Sequence, residues 1–269
     1  MKNINNMNKY IYKYPEQYAQ DIISSFNLTP PIDLNKICEM LDINVRYETL
    51  GVMEALLIVA PGKRNIIIDN SRNMYSRRER FTIAHEIGHY TIPWHENLQQ
   101  CDKIVDFKSE DTVECEANEF ASELLVPKSY LIEDIRGKKV TLALIKELAE
   151  KYDVSLVVMA RRILEYSESQ SVALIYYPNG NKYIQMKSKS FNKEIKDGRI
   201  TKSSAHKLLT SYNTSAEVKD VIDSSIWFEN DCVSDKIIEE SMFQSNLGRV
   251  FTLLRVADED DILDLEWDF

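Results

Sequence analysis

The chain has 269 residues, 44% of them hydrophobic, which is enough apolar material for one large or two modest domains and excludes a disordered protein. With 43 acidic against 33 basic residues its formal net charge is -10 at neutral pH, so broad non-specific binding to nucleic acid is excluded, although a local basic patch is not. No apolar run approaches a membrane span, Met1 to Asn6 lack the core of a secretory signal, and Cys38, Cys101, Cys115 and Cys232 have no paired spacing. Together these features imply reduced thiols and a cytoplasmic protein.

From the N-terminus, Pro15 to Phe26 alternates polar and apolar residues at helical spacing, and Asp33 to Leu41 repeats the pattern after the break at Thr29-Pro30-Pro31, with Asp33 as the cap. Ile43 to Tyr47, Ala55 to Ala60 and Asn65 to Asp69 are short β-branched or apolar runs. The last two are separated by the turn signal Pro61-Gly62, so a small antiparallel sheet packed on the next helix is expected. Ser71 or Ser76 is the expected cap of that helix. Arg77, Arg78 and Arg80 form a basic stretch at its start that reads as a solvated face or, less simply, as a grip for substrate carboxylates.

The helix itself is Arg80-Phe81-Thr82-Ile83-Ala84-His85-Glu86-Ile87-Gly88-His89-Tyr90, which carries an HExxH motif. At 100° per residue His85 and His89 lie one turn apart on one face, where both imidazoles reach a single metal ion, and Glu86 sits beside them to hold a metal-bound water. Phe81, Ile83, Ala84 and Ile87 bury the other sides. A catalytic zinc site needs a third protein ligand. The stretch Glu114 to Pro127 is an amphipathic helix ended by proline, with Ala117, Phe120, Ala121, Leu124 and Leu125 as its apolar stripe. Glu114 shares a face with Asn118 and can complete the site, with Asn118 orienting a ligand imidazole; Glu116, on a different face, is the competing choice. Between the two helices Thr91 to Val113 lacks periodicity and reads as a rim or lid loop. It contains His95, a candidate transition-state stabiliser, as are Tyr90 and Tyr130. Cys101 and Cys115 flank the site but read first as small hydrophobes rather than soft ligands.

The run Phe81 to Tyr90, followed by Glu114-x-x-Ala117-Asn118-x-Phe120-Ala121-x-x-Leu124-Leu125-x-Pro127, resembles the ImmA/IrrE family of bacterial and phage metallopeptidases. The resemblance covers about the first half of the chain. It implies a gluzincin-like Zn²⁺ site made of two helix histidines, His85 and His89, and a glutamate from a following helix, here Glu114, with Glu86 as the catalytic base. It also implies a protein substrate, typically a helix-turn-helix repressor that is cleaved or inactivated. The alternative is a non-cleaving regulator that sequesters a repressor or binds DNA.

Beyond Pro127, Val140 to Tyr166 carries two helical patterns, Leu142-Ile145-Leu148 and Leu156-Met159-Ile163, with Ser155 capping the second. The arrangement resembles a helix-turn-helix, but the consecutive apolar residues Leu156 to Met159 suit packing against the peptidase domain better than a DNA groove, and argue against direct DNA binding. From Ser171 the pattern turns to strands. Val172 to Tyr177 and Lys182 to Lys187 flank a hairpin signal at Asn179-Gly180, a helix follows near Lys202 to Tyr212, and Arg249 to Val256 and Ile262 to Phe269 close the chain. The expected fold is therefore α+β: a mainly helical zincin-like peptidase domain with a small antiparallel sheet over 1–130, a helical segment over 131–166, and a smaller α+β regulatory or recognition domain over 167–269.

Overall fold

The computed structural model describes residues 13–71, 76–95, 112–176, 182–196, 201–211, 217–229, 235–258 and 261. The turn signal at Asn179-Gly180, the run Ile262 to Phe269, Cys101 and Cys232, and most of the expected rim loop lie outside these residues. The chain divides into two compact units, Met1–Lys128 with Tyr152–Val154, and Ser129–Lys151 with Ser155–Phe269. The helical segment placed by sequence between two domains thus groups with the second of them.

In the first unit α1 (Pro15–Ser25) buries Ala19, Ile22 and Ile23 as one stripe, and α2 (Leu34–Met40) starts where Asp33 Oδ1 accepts hydrogen bonds from Asn35 N at 3.0 Å and Lys36 N at 3.1 Å. The strands β1 (Asn44–Glu48), β2 (Ala55–Ala60) and β3 (Lys63–Asp69) form a sheet in the order β1-β3-β2. The central strand β3 buries Ile66, Ile67 and Ile68 on both faces, which is why it reads as an unbroken apolar run. β2 and β3 are the expected antiparallel hairpin, turned by Gly62 at φ +71°, whereas β1 adds to β3 in parallel. The crossing segment after β1 is held by Asp69, whose Oδ1 accepts from Leu50 N at 3.0 Å while its own N–H donates to Glu54 O at 2.9 Å. Ser71 donates its hydroxyl to the same Asp69 carboxylate at 2.8 Å, so it serves this corner rather than capping the helix.

The helix α3 (Ser76–Thr91) packs on β2 and β3 and is buried on all sides from Phe81 to His89. Against it lies α4 (Thr112–Leu125), which stops two residues before Pro127. The two helices approach most closely where Gly88 faces Phe120: a methyl group at Gly88 would lie 2.9 Å from Cδ1 and 3.3 Å from Cβ of that fully buried ring. Gly88→Ala is therefore expected to push α3 and α4 apart, lowering unfolding stability by about 1–3 kcal/mol and weakening any metal shared by the two helices. Denaturant unfolding of the full chain with and without added zinc checks both parts.

The second unit begins with α5 (Lys128–Ile135), α6 (Leu142–Lys151) and α7 (Leu156–Tyr166), the last capped as expected by Ser155 Oγ, which accepts from Val158 N at 3.2 Å. The strands β4 (Ser171–Tyr176) and β5 (Lys182–Lys187), helix α8 (Ser204–Ser211), and strands β6 (Glu217–Asp223), β7 (Lys236–Gln244) and β8 (Arg249–Val256) follow. They make a five-stranded antiparallel sheet in the order β5-β4-β8-β7-β6. α7 lies on β4 and β5, and α8 lies on β7 and β8.

Sequence patterning missed β6 and β7, because Glu239 and Glu240 interrupt the middle of β7. Successive strand residues point to opposite faces, and each of these buried glutamates meets a helix N-terminus. Glu239 accepts from Ala205 N of α8 at 2.7 Å and from Trp227 Nε1 at 2.9 Å, while Glu240 accepts from Leu142 N of α6. Burial holds the Glu239 carboxyl above its ordinary range, partly offset by the hydrogen bonds it receives. Among the described residues no helix is long and apolar enough to cross a membrane.

Candidate metal centre

Helical periodicity brings His85 and His89 to one face of α3, and the packing of α4 sets Glu114 opposite them. The His85 and His89 Nε2 atoms are 3.0 Å apart, Glu114 Oε2 is 3.3 Å from His85 Nε2, and Glu114 Oε1 is 3.6 Å from His89 Nε2. Three vertices of a tetrahedron around zinc, with ligand bonds of 2.0–2.2 Å, would be separated by about 3.3–3.6 Å. His85, His89 and Glu114 are the group of described residues able to hold a metal ion.

The chemistry of the donors points the same way as their spacing. Asn118 Oδ1 lies 3.1 Å from His85 Nδ1, and an amide oxygen can only accept, so His85 donates through Nδ1 and turns Nε2 towards His89 and Glu114. Burial first, and then the neighbouring His85, hold the His89 pKa down to about 3, so the His89 ring is neutral. Two imidazole nitrogens and a carboxylate thus converge on one point, at the separations that a zinc ion's protein ligands adopt, so the donor set fits a metal ion.

Glu86 is 2% exposed, and its Oε2 has no hydrogen-bond partner among the described residues. Burial raises its pKa to about 7; the nearby His85 lowers it and Glu114 raises it. A buried carboxyl with one free oxygen beside a metal donor set can take up and release a proton near neutral pH.

Two residues occupy different roles from those their sequence positions suggested. His95, expected to face an oxyanion, is 2% exposed in a 3₁₀ turn (Pro93–His95) behind His89. Its Nδ1 lies 3.1 Å from His89 Nδ1 and its Nε2 lies 2.9 Å from Glu116 Oε2, so neither ring nitrogen is left for a substrate. Glu116, the rival third ligand, faces away from the metal point and also accepts from Trp94 Nε1 at 2.6 Å. Two helix positions are about 200° apart in rotation, which sends Glu116 to the far side of α4 from Glu114.

The arginines that precede the HExxH residues are paired within the first unit. Arg78 donates to the buried Glu54 carboxylate at 2.5 and 3.3 Å. Arg77 pairs with Asp153 at 3.2 Å, and Arg80 donates to Asp153 O at 3.1 Å and Ile32 O at 2.8 Å. The three arginines therefore brace the start of α3. Arg64 lies over the Tyr90 ring, and Cys115 is a half-buried cysteine outside the donor set.

Residues 38–164 match the family model described as Peptidase M78, the IrrE N-terminal-like domain. Among solved structures the chain is similar to a Mycobacterium tuberculosis transcriptional regulator at 12% identity, over 90% of this chain and 76% of that one, with a TM-score of 0.58. That likeness is one of fold. A comparison with curated proteins finds no match. The HExxH helix and the glutamate helix both lie inside residues 38–164, the segment that is similar to the IrrE N-terminal-like domain of that family.

Proposed function

We propose that this protein is a zinc-dependent endopeptidase whose natural target is a helix-turn-helix transcriptional repressor. The observation that carries the reading is the convergence of His85, His89 and Glu114 donors beside the buried, half-partnered carboxyl of Glu86. A purely structural zinc site closes its coordination with protein ligands and has no use for a base next to them. Zinc bound by these three residues would supply Lewis acidity, bringing a water's pKa towards neutrality and polarising a peptide carbonyl.

The chain's own residues do the rest. Asn118 holds the His85 ring in register through Nδ1. Glu86 accepts the attacking water's proton at Oε2 and returns it to the leaving amine, completing a hydrolysis without a covalent intermediate on the protein. The substrate lies extended along β2, an edge of its sheet that packs against α3 and leaves Ile58 38% and Val59 57% exposed. Backbone pairing at such an edge supplies affinity with little demand on sequence.

The repressor as target rests on the family resemblance, and a repressor target is in keeping with a cytoplasmic protein whose cysteines, Cys38 and Cys115 among them, are reduced. A DNA-binding role finds little support, because α7, the would-be recognition helix, buries Val157, Val158, Met159, Ala160, Ile163 and Leu164.

A peptide-library digest tests the reading. Zinc-loaded protein should generate new amino termini, a chelator should abolish them, and restored zinc should bring them back. Cleavage that persists after the metal is removed would overturn it.

A further inference from the structure

The face of His89 turned away from Glu114 opens onto a chain of groups that no part of the hydrolysis uses. His89 Nδ1 is 3.1 Å from His95 Nδ1, His95 Nε2 is 2.9 Å from Glu116 Oε2, and Trp94 Nε1 is 2.6 Å from the same carboxylate oxygen. The path runs from α3 through the 3₁₀ turn to α4. Trp94 is in turn held edge-on by Tyr18 of α1, with ring centroids 5.9 Å apart. One ring of the site is therefore fixed by two further elements.

With one proton on each ring, a single arrangement satisfies every link. Glu116 Oε2 accepts from Trp94 Nε1 and is placed to accept from His95 as well, so His95 carries its proton on Nε2 and leaves Nδ1 as a lone pair. That lone pair can only accept, so His89 must carry its proton on Nδ1, which leaves the His89 Nε2 lone pair directed at Glu114 and His85. With the protons reversed, His95 Nε2 would face the Glu116 oxygen lone pair to lone pair, and His89 would turn an N–H into the metal site. Glu116 thus sets the tautomer of a ring it does not touch, and Trp94 holds that carboxylate in place.

We propose that His95 and Glu116 are positioning residues for zinc binding, a His89–His95–Glu116 relay that locks His89 in its metal-binding tautomer and orientation. A metal-ligating histidine ordinarily donates its second nitrogen directly to a carboxylate or carbonyl. Here a second imidazole is interposed, so the carboxylate acts from one ring further out. The inference rests on the zinc reading of the site, and its test is arranged so that the two fail separately.

Zinc affinity is measured on the full chain by competition with a chromophoric chelator, for wild type, His95→Leu, Glu116→Ala and Glu116→Gln. The folding stability of each metal-free protein is measured alongside. The relay predicts that His95→Leu and Glu116→Ala bind zinc about 10–100-fold more weakly, the range typical for loss of a partner one step behind a ligand. Glu116→Gln, whose amide oxygen can still accept from His95 but whose N–H₂ can also donate, should fall between them and wild type.

Cobalt-substituted protein gives a second readout, because a His89 ring freed to turn alters the visible absorption of the ion. Glu116 is only partly buried, so its variants remain folded if His95→Leu does not. Zinc affinity and cobalt spectra unchanged in both Glu116 variants would overturn the relay while leaving the site intact. Loss of metal-free stability with zinc affinity unchanged would overturn it too, by showing a merely structural role. A wild-type protein that binds no zinc would instead overturn the reading of the site itself.

Discussion

Glu86→Gln lowers peptide cleavage by roughly 10²–10⁴-fold, the usual contribution of a positioned acid–base group, while zinc content and fold stay as they are. The substitution keeps the side chain's size and one oxygen, so nothing in the packing of α3 has to move. What it removes is the ability to take a proton. Glu86 lies among metal donors without making one of the convergent contacts, it is buried, and one of its oxygens has no partner among the described residues. An amide at that place hydrogen-bonds but cannot cycle a proton between water and the leaving amine. Turnover of a quenched peptide against zinc content by elemental analysis gives both halves of the result. Since binding outlasts catalysis, the variant should also hold its natural substrate long enough for recovery from cells. A variant that cleaves at the wild-type rate would remove Glu86 from the mechanism.

Alanine at His85, His89 or Glu114 costs the protein its zinc. Zinc sites in folded peptides bind with about 10–16 kcal/mol, so one ligand among three or four accounts for about 3–4 kcal/mol, or on the order of 10²–10³-fold in affinity. Each variant should therefore lose zinc more completely than the Glu116 variants do. This ordering separates residues that touch the metal from residues that hold them. Glu114→Ala and Glu116→Ala form the sharpest pair, being two positions apart on one helix with the same change of charge. Zinc retained in Glu114→Ala and lost in Glu116→Ala would reverse the assignment of the third ligand.

What could be read from sequence follows from how local each contact is. The metal pair rests on the i, i+4 geometry of a single helix, and Glu114 with Asn118 on that of another, so both were visible before any fold was known. Asn118 indeed lies 3.1 Å from His85 Nδ1. His95 was read as a candidate transition-state stabiliser and Glu116 as the rival third ligand, but their contacts depend on how a 3₁₀ turn folds behind α3, and periodicity does not encode that. The same limit hid β7, where Glu239 and Glu240 look like solvated positions. Each is instead buried at the N-terminus of a helix, 34 residues away at Ala205 and 98 residues away at Leu142.

The sheet of the first unit was expected from its β-branched runs, yet side-chain alternation does not distinguish parallel from antiparallel neighbours. The pairing of β1 with β3 emerged only with the register. The apolar run on α7 was correctly taken as buried. It packs on β4 and β5, and the segment 131–166, apart from Tyr152–Val154, clusters with the second unit. A chain cut after Tyr166 would leave that face bare, and is a poor choice for isolating the metal site.

Hydrolysis of a repressor is tested most directly by intact-mass spectrometry. A helix-turn-helix repressor encoded beside this protein is incubated with the zinc-loaded wild type and, in parallel, with Glu86→Gln. Two fragments whose masses sum to that of the repressor plus one water are expected from the wild type alone, while Glu86→Gln leaves the repressor intact and bound. An intact repressor in both reactions, held in a stable complex by wild type and variant alike, would contradict it and make the protein a sequestering regulator.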